Sequence, residues 1–221
     1  MKLDQGDHGL EQVATLDIET THYKPRQGEI VSIGVGVHER GTSGAHATYA
    51  TFHRDGSGEA ELVERAVQQL HEFNADGLVS YNGRNFDLSF IGDRLQILGQ
   101  ADTVSDLPRY VERQHVDLFE PRKARAEQIN KSWPGLEECL ESYGYPCPRT
   151  VWQGKPLDNT RFGEELGPTY LDALSTNDER HSSLADVIDH YLVTDLEANF
   201  AIYYSDIGES FTPHHLNNDL G

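Results

Sequence analysis

From Ala14 to Thr20 the chain reads Ala14-Thr15-Leu16-Asp17-Ile18-Glu19-Thr20, apolar and polar residues in strict alternation. A period of two is the signature of a β-strand. Ala14, Leu16 and Ile18 fall on one face, and Val13, Thr15, Asp17 and Glu19 on the other. Asp17 and Glu19 therefore project side by side from successive pleats. Two anions that close repel unless a cation sits between them or water screens them. The residues alone leave two readings open, a solvated strand face or half of a divalent-metal site.

The following segments continue as strands. Thr20 to Gly28 holds Pro25 and reads as a turn; Ile30 to Val37 is strongly apolar; Gly41 to Gly44 turns the chain again, and His46 to His53 is a third strand. Short connections predict an antiparallel meander. Gly34 and Gly36 make no dinucleotide fingerprint, because a strand and a turn follow them rather than a helix. The period then changes: Leu62, Ala66, Leu70 and Phe73 share one helical face within Ser57 to Ala75. Gly77 to Tyr81 is a short strand. Asn85 is placed to cap the next helix, with Phe90, Ile91, Leu95 and Leu98 inward. Further along, Gln114 to Leu118 reads as a strand, Trp133 to Tyr143 as a short helix begun by Pro134, and Thr160 to Leu174 as helix. A long helix spans about Ser183 to Tyr204. Strands followed by alternating helices and strands describe one α/β domain with a mixed sheet. A helical insert covers 119–176, and the termini, 1–10 and 213–221, read as loose.

Charge narrows the setting. The 221 residues carry 37 acidic against 18 basic side chains, a net of −19, and the acids are scattered rather than gathered in a tail. Excess carboxylate of this kind suits a salt-rich, halophilic prokaryotic cytoplasm. It argues against nucleic acid as a partner, unless metals neutralise the site and ambient salt screens the rest. No apolar run approaches a membrane span and no secretory signal is visible. Cys139 and Cys147 have no metal or redox spacing and read as ordinary thiols.

The last helix discriminates best. Its apolar stripe is Leu184, Val187, Ile188, Tyr191, Ala198 and Ile202, and Asp195 falls inside it, while Asp186, Asp189 and Glu197 project to the opposite side. A carboxylate on a buried face needs a partner or a metal; a salt bridge or cap would serve equally. Asp87 stands in the first turn of its helix, where acids commonly complement the dipole, yet it leans towards the core one turn before Ile91.

Taken together these segments resemble the DEDD 3′–5′ exonucleases of the ribonuclease H-like fold. Leu16-Asp17-Ile18-Glu19-Thr20 is similar to their first motif. Tyr81-Asn82-Gly83-Arg84-Asn85-Phe86-Asp87-Leu88-Ser89-Phe90-Ile91 resembles the second as found in the proofreading domain of family B DNA polymerases. Tyr191-Leu192-Val193-Thr194-Asp195 matches the third, tyrosine-x-x-x-aspartate, of the DEDDy type. The resemblance spans about 12–206 and is nearest to stand-alone predicted exonucleases related to that proofreading domain. It implies a ribonuclease H-like mixed sheet, two Mg²⁺ or Mn²⁺ ions held by Asp17, Glu19, Asp87 and Asp195, and Tyr191 orienting the attacking water. Glu19 would also touch the terminal 3′-hydroxyl.

A second variant of the family places histidine five residues before the last aspartate, where His190 stands. At ~100° per residue Tyr191 lies about 40° from Asp195 around the helix and His190 about 140° away. A regular helix therefore favours Tyr191 and leaves His190 solvated; a helix beginning at His190 would reopen the choice. Asn82, Arg84 and Phe86 are candidate substrate contacts, Phe86 equally a core residue. Arg122, Lys123, Arg125 and Lys131, near Trp133, form the one basic cluster. The expected activity is hydrolysis at the 3′ end of single-stranded DNA, or RNA, with no membrane and no identified protein partner. The alternatives are a non-catalytic nucleic-acid-binding subunit and a structure-specific endonuclease on the same fold.

Overall fold

The alternating segment forms strand β1 (Gln12–Thr20), and both of its faces are covered, for Val13 to Leu16 are all buried. In this computed structural model, which describes residues 1–220, β1 is the middle strand of a five-stranded sheet of order β3-β2-β1-β4-β5. Strands β2 (Ile30–Glu39) and β3 (Thr48–His53) complete the antiparallel meander. Strands β4 (Gly77–Ser80) and β5 (His115–Asp117) join on the other side of β1, both parallel to it. Parallel pairing requires crossovers. Helix α1 (Glu59–Phe73) supplies the first, and α2 (Asp87–Leu98) with α3 (Arg109–Arg113) the second. The fold is a mixed α/β sheet, as the sequence leads one to expect.

Each face of the sheet has its own core. Ala14, Leu16, Ile18, Ile33, Val35 and Leu78 pack against Leu62, Ala66 and Leu70 of α1 and Phe90, Ile91 and Leu95 of α2. On the opposite face Val13 and Val79 meet Ala198, Ala201 and Ile202 of the long helix α8 (Arg180–Asp206), defined here together with the elements before it. Those elements are α4 (Phe119–Gln128), α5 (Leu136–Tyr143), a small hairpin of β6 (Val151–Trp152) and β7 (Lys155–Pro156), α6 (Asn159–Arg161), and α7 (Gly167–Ser175) entered through a π turn at Phe162–Leu166. Segment 119–176 is thus helical with a hairpin in it.

The seat of α8 is made by what β2 lacks. Gly34 is the register partner of Asp17, and Gly36 that of Thr15. A Cβ on Gly34 would lie 2.9 Å from Leu196 Cδ1 and 3.4 Å from Leu192 Cβ. Helix α8 rests on bare backbone there, one strand away from Asp17. This close approach is the use of the Gly34-x-Gly36 pair.

Several local expectations need correction, most of them through contacts distant in sequence. Asn85 does not cap α2; its amide nitrogen donates to Glu120 instead, 3.3 Å. Leu98 is exposed at the end of α2. Helix α5 begins at Leu136, so Trp133 and Pro134 lie outside it. Glu197 is fully buried rather than solvated, because its two oxygens accept the amides of His214 and Leu216 at 2.9 and 2.7 Å. That same contact ties down the C-terminal segment, which also receives a bond from His190 Nε2 to the Asn218 carbonyl, 2.9 Å. Neither the tail up to 220 nor His190 is therefore loose or free. At the other end the Leu3 amide donates to the Tyr143 hydroxyl at 2.8 Å, Gln5 bonds Asp206, and Leu10 is buried, so the first ten residues are anchored too. No helix among the described residues is long and apolar enough to cross a membrane.

Arg122 is the largest departure, since it is 0 % exposed and lost to any surface cluster. Its guanidinium donates to Asp206 at 2.8 and 2.6 Å and to the Leu118 carbonyl at 2.9 Å. Removing one member of a buried pair strands the other charge. Arg122→Met is expected to lower unfolding stability by about 3–5 kcal/mol, read as a lower urea midpoint at unchanged slope; a loss within ~0.5 kcal/mol would contradict this account.

Candidate metal centre

Strand β1 delivers Asp17 and Glu19 to one end of the sheet, and α8 brings Asp195 over them. Ligand oxygens of Asp17, Glu19 and Asp195 all lie within 4.8 Å of one another. Glu19 is 6 % exposed, while Asp17 and Asp195 keep partial access to solvent. Asp87, 3 % exposed, stands beside this triad rather than in it. One of its oxygens accepts the Ile18 amide at 3.0 Å, which pins the start of α2 between the two β1 carboxylates. None of the ion pairs among the described residues involves Asp17, Glu19, Asp87 or Asp195. Hard carboxylate oxygens with no ammonium or guanidinium partner form a donor set that fits a divalent cation.

The turn that carries Asp87 is fixed by a residue the sequence reading passed over. Asp117, buried at the end of β5, accepts the amides of Asn82 (2.9 Å), Arg84 (3.0 Å) and Phe119 (3.0 Å). Asn82 is left-handed, φ 65°, a conformation asparagine tolerates better than most. Gly83 then packs so near Ser80 that a Cβ would meet its hydroxyl at 2.4 Å. The only sequence signal for Asp117 was an acid at the end of a short strand. Of the candidate substrate contacts, Asn82 is half-buried in this turn. The Arg84 guanidinium is bonded to the His115 carbonyl. Phe86 packs towards the α1 and α2 core, its ring 5.7 Å from Phe90, away from the carboxylate face.

Helix α8 is unbroken from Arg180 to Asp206, so the condition that favours Tyr191 over His190 holds. His190 is engaged with Thr150 and Asn218. Tyr191 and Asp195 line one cleft of about 350 Å³, together with Glu137 and Leu140 of α5 and Leu157 and Asp158 beyond the hairpin. The Tyr191 hydroxyl donates to Asn159 Oδ1 at 2.6 Å, and its ring lies nearly parallel to Phe162, 6.1 Å away at 13°. The π turn holds this wall against β1, since a Cβ on Gly163 would lie 3.2 Å from the Thr21 carbonyl.

Burial and mutual repulsion govern the charges. Desolvation first, then the Asp195 charge, push the Asp17 carboxyl well above its usual range. Glu19 is raised by burial and by Asp17, Asp195 and Asp87; Asp87 by burial and Asp17. Asp195 is pushed up to about 7 by burial and by Glu137 and Asp87. The phenol of Tyr191 is likewise raised, by burial and the Asp195, Glu19 and Asp17 charges. Carboxyls raised together in one cleft are what a cation site produces when its cation is absent.

A mixed sheet with its middle strand presenting acids at the carboxyl end belongs among ribonuclease H-like folds. Residues 14–145 match the family model of the RNase_H superfamily, and the chain belongs to that superfamily. The matched span holds Asp17, Glu19, Asp87 and Asp117; Asp195 lies beyond it. The chain is also 33% identical over 99 residues to a DNA polymerase of Thermococcus aggregans, a stretch that is 43% of this chain and 5% of that protein. Among solved structures it is similar to the family B DNA polymerase of the hyperthermophilic archaeon Pyrobaculum calidifontis, with 18% identity and a TM-score of 0.49, over 93% of this chain and 30% of that one.

A carboxyl whose folded pKa exceeds its unfolded value contributes stability that is complete below the unfolded value and lost as pH climbs through the folded one. For Asp195 that window runs from 3.8 to about 7. Metal-free wild type is therefore expected to lose melting temperature relative to Asp195→Asn as pH rises across this window. Added Mn²⁺ should raise the wild-type melting temperature more at about pH 8 than at about pH 5. Equal shifts at both pH values, or an equal shift in Asp195→Asn, would count against the site.

Proposed function

We propose that this chain is a metal-dependent 3′–5′ exonuclease of the DEDDy type, acting on single-stranded ends, with DNA favoured over RNA. The observation that carries the reading is the meeting of Asp17, Glu19 and Asp195 without any cationic side chain, beside Asp87 and in a chain of the RNase_H superfamily. The preference for DNA leans on the Tyr81–Ile91 motif and on the stretch shared with a DNA polymerase.

Asp17, Glu19, Asp87 and Asp195 would hold two Mg²⁺ or Mn²⁺ ions. Such ions, when bound, supply the Lewis acidity that makes water nucleophilic and neutralises charge gathering on a phosphate. The protein's own part is positional. Water attacks phosphorus, the bond to the 3′-oxygen of the preceding nucleotide breaks, that oxygen takes a proton, and a nucleoside 5′-monophosphate departs. Tyr191 stays protonated, because burial first and the neighbouring carboxylates second push its phenol above the usual range. It therefore works as a fixed hydrogen-bonding group and not as a base. Asn159 holds that hydroxyl through its only proton, which leaves the phenolic lone pairs to accept from the attacking water. Glu19 would also touch the terminal 3′-hydroxyl. The net charge of −19 fits work in a salt-rich cytoplasm, where ambient ions screen the approach of a polyanion.

The test is a 5′-labelled single strand incubated with Mn²⁺ in molar KCl. A ladder shortening by one nucleotide from the 3′ end is expected. Internal cuts would favour a structure-specific endonuclease, and intact strand under every metal and salt would favour a non-catalytic binding subunit. Asp87→Ala and Asp195→Ala should each lower kcat by more than ~10²-fold. Tyr191→Phe should cost about 10–100-fold in kcat, with His190→Ala near wild type in kcat.

A further inference from the structure

We infer that the aromatic ladder Tyr81–Phe119–Trp133, flanked by Lys123 and Arg125, is the platform on which a single nucleic-acid strand lies as it leads away from the carboxylates. The inference names the substrate path of the nuclease reading and rests on it, although strand binding itself needs no turnover.

The ladder starts on the right face of the sheet. Strand β4 runs parallel to β1 with Val79 opposite Thr15, and Tyr81 follows directly on its carboxyl end, the end at which β1 carries Asp17 and Glu19. Val79 and Tyr81 both belong to the core on the α8 side, the side from which Asp195 descends. From Tyr81 the rings step outward. Phe119 follows at 5.5 Å, and Trp133 at 6.0 Å meets Phe119 edge-on at 82°. Trp133 is 54 % exposed, a large apolar surface in a chain otherwise dominated by acid. The indole is not a free flap: its Nε1 donates to Glu127 at 3.2 Å, and the Tyr81 hydroxyl donates to the carbonyl of the adjacent Pro134 at 2.5 Å.

Charge follows the same line. Lys123 Nζ sits 4.2 Å from the centre of the Trp133 ring. Among the described residues Lys123, Arg125 and Lys131 form no ion pair, unlike Arg40, Arg54, Arg94 and Arg161. A half-exposed indole with an unpaired ammonium lying over its ring matches a base and its flanking phosphate once the flexible Lys123 moves from ring to phosphate, and stacking plus backbone attraction is how sequence-tolerant single-strand sites work. A protein partner would need a broader apolar patch than one indole. On a chain of net charge −19 a polyanion has few other places to settle.

The platform can be tested with the full chain, with Ca²⁺ replacing Mg²⁺ so that strand is held uncut. An oligothymidylate of about twelve residues carrying a 5′ dye reports Kd by anisotropy. Trp133→Ala is expected to weaken binding by about 5–150-fold, the equivalent of ~1–3 kcal/mol for one lost stack, and Trp133→Tyr should restore most of it. Lys123→Gln should lower the slope of log Kd against log salt by about 1. Arg113→Gln, at the opposite end of β5, should leave that slope alone. In a Trp152→Phe background Trp133 is the only indole, and the strand should quench its emission while thymidine monophosphate at equal base concentration does not. Unchanged Kd in Trp133→Ala, or no quenching by bound strand, overturns the platform. If the strand is never cut yet Trp133→Ala loses affinity, the platform stands and the nuclease reading falls. A ladder of products with wild-type Kd in Trp133→Ala is the converse.

Discussion

Carboxylates that cannot tolerate one another organise this protein. Ligand oxygens of Asp17, Glu19 and Asp195 are forced within 4.8 Å of one another, with Asp87 pressing from the side, and no ion pair among the described residues relieves them. Folding can sustain that arrangement only because each acid is carried by an element with independent reasons to be where it is. Strand β1 is locked by neighbours on both edges, and α8 by two cores, one for each half of its length. The repulsion is concentrated, and the hydrophobic burial that opposes it is spread across the domain.

Positioning of the fourth acid is of a different kind. Asp87 is set by a turn whose backbone amides converge on Asp117, itself at the end of a strand thirty residues downstream. One buried carboxylate thus uses its hydrogen-bonding capacity on main-chain donors so that another, tied to the main chain through one oxygen, is held beside the triad. The two acids are chemically identical and their surroundings assign them opposite tasks. A similar division separates Asp195, in the cleft, from Glu197 two residues later, whose oxygens are consumed by the C-terminal segment.

What could be read from the sequence follows from this. Period-two and helical patterns report local geometry, so β1, the meander and the stripe containing Asp195 were legible from Ala14 to Thr20 and from Leu184 to Ile202. The relation between Tyr191 and Asp195 needed only a regular helix. Partners remote in sequence were invisible: Arg122 looked like surface because Asp206 lies 84 residues away, and Glu197 looked solvated because its cover comes from His214 and Leu216. The sequence reads as helix from Trp133, with Pro134 tolerated at its start, whereas the structure leaves Trp133 as an exposed ring outside α5.

The bare strip on β2 has a consequence for how such a site could drift. Gly34 lies directly opposite Asp17, and the atom a methyl group would meet there is the flexible end of Leu196. Rotation of that side chain relieves only part of the intrusion, because Leu192 Cβ, 3.4 Å away, is fixed to the helix backbone; the remainder would press α8 outward, leaving the molecule folded while carrying Asp195 away from its companions. Selection for stability alone would scarcely notice such a change, whereas selection for turnover would reject it. The absence of one side chain on a silent strand thereby sets the spacing of groups that never touch it.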